Sequence, residues 1–212
     1  MRAAVKRGSR ILALAGGCLL SLASARADYS VVVDPRDDRG TWEGWGCSLS
    51  WWAQGVGASS YQDTYADLFF TLKSVPFFGV SLPGLGLSIA RYNIGGGGLP
   101  GDNIGGTVDK RPAIMPWYKD IDGYWKDWYD SNPASLSWDF YRDSNQRNMM
   151  WAARDRGVTL EFFANAPMWW MTTAKSSAGG ALQAWNRRDV ARYLATVVAY
   201  AQSRWGVRVS SL

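Results

Sequence analysis

Glu161-Phe162-Phe163-Ala164-Asn165-Ala166-Pro167-Met168-Trp169-Trp170-Met171 begins as an apolar strand and breaks, at Asn165 and Pro167, into two adjacent tryptophans. Aromatic rings stack on the C–H faces of pyranoses while amides hydrogen-bond their hydroxyls, so a strand that delivers both at one end suits a carbohydrate. Core packing explains the same tryptophans, because indoles bury large areas in any fold. Two other strand-like runs finish in the same way. They are Gly44-Trp45-Gly46-Cys47-Ser48-Leu49-Ser50-Trp51-Trp52-Ala53 and Leu87-Ser88-Ile89-Ala90-Arg91-Tyr92-Asn93-Ile94, the latter running on into glycines 95–98. Three strands ending in polar or aromatic groups are expected to share one face.

Helices are expected between these runs. Ser60 stands as an N-cap with Asp63 three residues on, and Tyr61, Tyr65, Leu68, Phe69 and Leu72 recur at helical spacing until Pro76 ends the helix. A second helix spans about 143–156, with Met149, Met150 and Ala153 inward and Gly157 as its C′ residue. A third opens at Asn186, carries the stripe Val190, Leu194, Val197, Val198, Ala201 and Trp205, and closes at Gly206. Strands are expected at 30–34, 42–52, 87–93, 159–164 and 207–212, with a polar turn over 37–40. A long irregular connection up to about residue 137 carries Trp117, Tyr118, Tyr124, Trp125, Trp128 and Tyr129, which would either line a groove or pack on themselves as a lid.

The strands read as apolar on both faces, as in a parallel sheet covered by helices. A doubly wound sheet and a (β/α)8 barrel both begin this way, and four strands with three helices make about half of such a barrel. A dinucleotide site is disfavoured: glycines 95–98 lead into Leu99-Pro100-Gly101 and not into a helix, so no helix N-terminus waits for a phosphate.

Residues 1–27 have the pattern of a secretory leader: Arg2, Lys6, Arg7 and Arg10 precede an apolar run over 11–22, with small residues at Ala25 and Ala27. The run falls short of the about 20 residues that cross a bilayer, so export without a membrane anchor is expected. Cleavage removes five basic residues, Arg26 included, and no acidic one, leaving 18 of 23 Lys and Arg against 18 Asp and Glu. A formally neutral mature chain lacks the basic patch of a nucleic-acid binder. Cys47 is then the sole cysteine, which excludes a disulfide framework and a multi-thiolate metal site. The chain has no histidine, and that removes Ser/His/Asp and Cys/His machinery, imidazole bases and imidazole zinc ligands together. Carboxylates are left, and no metal or cofactor is expected.

As a set and in this order, GWGxSLxWWA, RYNIGGG and a strand ending in N-x-P-x-W-W-M resemble the endo-β-1,6-galactanase-like branch of glycoside hydrolase family 30, over roughly residues 42–212. The resemblance implies an α/β fold: the N-terminal half of a (β/α)8 TIM barrel over 42–212, truncated after its fourth strand, with residues 28–41 supplying one strand of a side β-sandwich. It also implies a secreted, retaining hydrolase of galactan or arabinogalactan side chains. Retaining enzymes hold two carboxyl groups roughly 5 Å apart across the scissile bond. In the family the acid/base glutamate follows the fourth strand and the nucleophile ends the seventh, so both are expected beyond Leu212. None is expected within this chain, which alone should be inactive. Its two glutamates, Glu43 before the first barrel strand and Glu161 early in the third, read as structural, since barrel chemistry occurs at the C-terminal strand ends.

The substrate side remains. Arg91, at a strand end, would keep a neighbouring carboxylate ionised and fixed, and in the family an arginine there supports the nucleophile. Asn93 and Asn165 are candidate hydroxyl ligands. Trp51, Trp52, Trp169 and Trp170 come as adjacent pairs, and adjacent strand residues point to opposite faces, so one of each pair is expected to face sugar and the other the core. The expected partner is a polysaccharide or oligosaccharide, with no nucleic acid and no membrane. The alternative is a non-catalytic carbohydrate-binding or degenerate relative.

Overall fold

The computed structural model describes residues 31–97, 119, 121–178 and 180–212; the leader expected at 1–27 lies outside them, as do Trp117 and Tyr118. The chain divides into two units, residues 1–41 and 42–212. In the first, Val31, Val32 and Val33 are exposed and form no strand, against the expectation for 30–34. A β-branched run becomes a strand only where a neighbour completes its ladder. The turn comes earlier than expected, with the Asp37 amide donating to the Asp34 carbonyl at 3.0 Å and the Arg36 guanidinium on the Asp34 carboxylate.

The second unit runs β1 (Gly46–Ser48), α1 (Trp52–Val56), α2 (Gln62–Phe70), β2 (Ser74–Phe77), β3 (Val80–Pro83), β4 (Ile89–Asn93), α3 (Ser144–Arg154), β5 (Thr159–Phe163), α4 (Arg187–Arg204) and β6 (Val209–Ser211). Strands β1, β4, β5 and β6 pair in that order, all parallel. Parallel neighbours need a crossover between them, and the helices supply it. The result is the expected mixed α/β unit on a parallel sheet.

Alternation along the strands decides what each face does. Ala90 and Tyr92 of β4, with Leu160 and Phe162 of β5, join Met149, Met150 and Ala153 of α3 and Tyr193, Val197 and Ala201 of α4 in one buried core. The opposite face is not apolar and, among the described residues, no helix covers it: Arg91 and Thr159 are exposed, and Ile89, Glu161 and Phe163 only half-buried. That corrects the expectation of two covered faces. The sequences IARYN and TLEFF place an arginine and a glutamate on the second face, where they would be stranded under a helix without water or partners.

The later helices follow their stripes, α3 stopping before Gly157 (φ +77°) and α4 before Gly206 (φ +64°), where only glycine is unstrained. The earlier elements differ. Tyr61, not Ser60, is the N-cap of α2 and makes no side-chain capping bond. Pro76 does not end that helix but sits in β2, paired with Ser81 across a hairpin. The hairpin turns at Phe78 and Gly79, both with positive φ (45° and 83°), the backbone sign that matches strand twist in two-residue loops. Strand β1 is only three residues long, and Trp52 already belongs to α1.

The glycine run after β4 is a packing device. A Cβ on Gly95 would stand 2.2 Å from the Asp122 carbonyl oxygen, and one on Gly96 2.6 Å from that of Pro167. Their own carbonyls accept from the Tyr193 hydroxyl (2.6 Å) and the Trp169 amide (2.8 Å). Three segments thus meet backbone to backbone. Gly95→Ala is expected to cost about 1–3 kcal/mol by overpacking, read as a lower denaturation midpoint. Gly55→Ala, in α1 with nothing within 4 Å of its Cβ, should be neutral or mildly stabilising; equal effects would show that the close approach carries no energy.

Candidate functional site

The open face of the sheet carries the site. Ser48, Arg91 and Glu161 stand in one row across β1, β4 and β5, and all three line a hollow of 310 Å³. The Arg91 guanidinium lies 4.1 Å above the Phe163 ring on the same face, so an aromatic surface holds the cation; Arg91 stands in the middle of β4, level with Glu161, and not at the strand end that the sequence pattern leads one to expect. Glu161, which reads as a remote structural residue, shares the hollow with Arg91. Only the pairing register could reveal that.

Asn93 ends β4 and is almost fully buried. Gln146 of α3 clamps its backbone from both sides, accepting from the Asn93 amide at 3.0 Å and donating to its carbonyl at 3.1 Å. The Asn93 side-chain oxygen accepts from the Asn165 amide at 3.3 Å. The two asparagines are therefore brought together, with Asn93 fixing the bend after β5 and the Asn165 side chain left exposed.

The first tryptophan pair divides, with Trp51 39% exposed beside the Lys119 ammonium (5.1 Å). Trp52 stacks on Phe69 at 4.6 Å and donates its indole N–H to the Ser48 carbonyl. The second pair does not. Trp169 and Trp170 are both 3% exposed, in a 3-10 turn over Trp169–Met171. Three residues per turn rotate neighbours by about 120°, so the opposite-faces rule for strands fails there. Trp170 donates to the Trp125 carbonyl at 2.9 Å, whereas the buried Trp169 indole N–H has no partner among the described residues.

Beneath the strand end lies a polar cluster that pattern reading missed. Asp143, the N-cap of α3 at φ +55°, is fully buried. Its Oδ2 accepts from the Tyr92 hydroxyl (2.5 Å) and the Gln146 amide (2.7 Å), while Tyr92 and Tyr124 join hydroxyl to hydroxyl. Among the described residues its Oδ1 has no partner. Arg147 braces the approach, donating to the carbonyls of Phe140, Tyr141 and Arg142. The available signal was Asp143-Ser144-Asn145-Gln146, the spacing of a capping box.

Burial pushes the Asp143 carboxyl up to about 7, against the hydrogen bonds from Tyr92 and Gln146 that pull it down. A carboxyl raised from 3.8 in the unfolded chain favours the fold most below pH 3.8, and that contribution is lost as pH rises through about 7. Unfolding free energy should therefore fall by about 3 kcal/mol between pH 5 and pH 8, at roughly 1.4 kcal/mol per proton per unit over the two units up to the folded value. Asp143→Asn should flatten the slope in denaturant titrations; an unchanged slope would remove Asp143 as its source. Burial also pushes the Cys47 thiol up to about 11, so it offers no nucleophilic thiolate at neutral pH.

No family model matches the chain. It is 40% identical over 193 residues to the endo-β-1,6-galactanase of Hypocrea rufa, covering 89% of this chain and 39% of that protein. It is 26% identical over 208 residues to the exo-β-1,6-galactobiohydrolase of Bifidobacterium longum subsp. longum, covering 77% of this chain and 13% of that protein. The chain thus spans well under half the length of either relative. A conserved exported protein from Bacteroides fragilis shares the fold, at a TM-score of 0.61 and 21% identity over 84% of this chain and 34% of that one. The likeness carried by the three motifs therefore extends along most of the chain, which is a homologue of an endo-β-1,6-galactanase.

Proposed function

We propose that the chain is the substrate-holding part of a secreted endo-β-1,6-galactanase that cleaves galactan or arabinogalactan side chains with retention, by two carboxyl groups and without a metal or cofactor. The observation that supports it is the 40% identity with the Hypocrea rufa enzyme. Residues 42–212 form the first half of a (β/α)8 barrel in this reading, residues 28–41 belong to a side β-sandwich, and 1–27 are the leader. The all-parallel sheet with one polar, uncovered face fits a barrel interior awaiting its other strands.

The two glutamates that do the chemistry come from sequence beyond Leu212, one protonating the leaving oxygen and the other attacking the anomeric carbon. Arg91 keeps the nucleophile ionised and oriented. Asn165 and the exposed Trp51 hold sugar, Asn93 positions Asn165 from beneath, and Trp52, Trp169 and Trp170 shape the walls behind them. The full-length enzyme should release short galacto-oligosaccharides from β-1,6-galactan, with NMR of the first-formed product giving the β-anomer. Activity confined to xylan or to a glucosylceramide would sink the linkage assignment, and the α-anomer would sink the retaining route.

A further inference from the structure

The connections that follow β4 and β5 meet the first turns of α4 around a cleft of 630 Å³, which shares no lining residue with the hollow at Arg91. Small-ligand clefts run about 300–1,000 Å³. Its floor includes the buried Trp170. Three more rings stand at its rim in solvent: Trp128 is 55% exposed, Tyr129 80% and Trp185 75%. Trp128 is propped edge-on against Trp170 at 6.4 Å and packs beside Tyr129 at 5.3 Å, so its position is set. Large rings clustered in water and rimmed by polar groups mark a binding surface.

The polar groups are fixed as well. The Lys175 ammonium donates to the Trp170 carbonyl (2.8 Å) and the Gln183 side-chain oxygen (3.4 Å). Arg192 donates to the Asp189 carboxylate at 3.4 Å, and both remain partly exposed. Gln183 is further tied by the Asn186 amide at 2.9 Å. Planar donors and acceptors of mixed sign, set between aromatic faces, match the hydroxyls and C–H faces of a neutral sugar. Two cations beside one anion give too weak a field to select a polyanion.

We propose that this cleft is a further subsite that holds neutral pyranose units of an oligosaccharide chain. Trp128 and Trp185 stack on the rings, and Arg192, Asp189 and Gln183 bind hydroxyls. The proposal rests on the galactanase reading only for which sugar enters. A subsite that grips polymer away from the reacting bond binds ground and transition states alike, so it lowers KM for long substrates and leaves kcat unchanged.

The test uses the full-length enzyme with Trp185→Ala and Trp128→Ala, whose rings are exposed enough that thermal midpoints should hold. KM for β-1,6-galactan should rise about 10-fold or more in each variant, as for a lost aromatic anchor. The kcat on polymer and the turnover of an aryl β-galactobioside should stay as in the wild type. An unchanged KM for polymer, or an equal loss on polymer and aryl glycoside, would overturn the subsite. Tryptophan fluorescence titrations with β-1,6-linked galactohexaose, xylohexaose and cellohexaose separate this proposal from the functional reading. If galactan is not hydrolysed but one hexaose binds and Trp185→Ala abolishes that binding, the cleft stands and the galactanase reading falls. Binding of none of the three by the wild type would overturn the cleft.

Discussion

Residues 28–212 produced alone are expected to release no sugar from β-1,6-galactan and to elute as oligomers or aggregate. Two features of the sheet lead there. Among the described residues strand β6 pairs with β5 on one side only, and an unpaired parallel edge is a template for another chain. The face carrying Ile89, Arg91, Glu161 and Phe163 is uncovered among the described residues, so apolar area that a closed barrel would bury stays in water. At about 25 cal/mol per Å² the missing burial amounts to several kcal/mol, against a net stability of about 5–15 kcal/mol for an ordinary domain. Chemistry fails for a separate reason, the two carboxyl groups lying beyond Leu212 in the proposed enzyme. Size-exclusion chromatography with a galactan assay checks both halves. A monomer with a cooperative melt and measurable hydrolysis would refute the division of labour proposed for the chain.

Arg91→Met in the full-length enzyme is expected to lower kcat by about 10²-fold with little change in KM, the size of a lost charge-assisted hydrogen bond made in the transition state. The exposed side chain has the Phe163 ring as its packing neighbour, so the thermal midpoint should barely move. Arg91→Lys keeps the charge but not the planar fork and should fall between. Wild-type kcat in the methionine variant would remove Arg91 from the machinery. A large drop in midpoint with proportionate loss of activity would make it a structural residue instead.

How legible the fold was depends on where its information sits. Helices α3 and α4 could be placed because a core-facing stripe repeats locally, and Val197, Ala201, Met149 and Met150 are indeed buried. The sequence pattern does not place the hairpin β2–β3, because Pro76 reads as a helix stop, although Phe78-Gly79 between Phe77 and Val80 is an available turn signal. Strand alternation does not reach the tryptophan pair at 169 and 170, because β5 ends at Phe163 and the pair sits six positions on, in a 3-10 turn.

The amino-acid sequence by itself determined the strand and helix alternation, the resemblance borne by three motifs, and the residue types open to chemistry once histidine is absent. These are properties of composition and short-range period, which survive in one dimension. Only the tertiary structure decided that Arg91 shares a hollow with Glu161 and that Asn93 is clamped by Gln146, 53 positions away. It also decided that Asp143 is buried beneath the site and that Trp128 and Trp185 flank one cleft. Each of these depends on register and on which segments meet. Register is set by the summed burial of whole faces, and no single residue in the chain carries that sum.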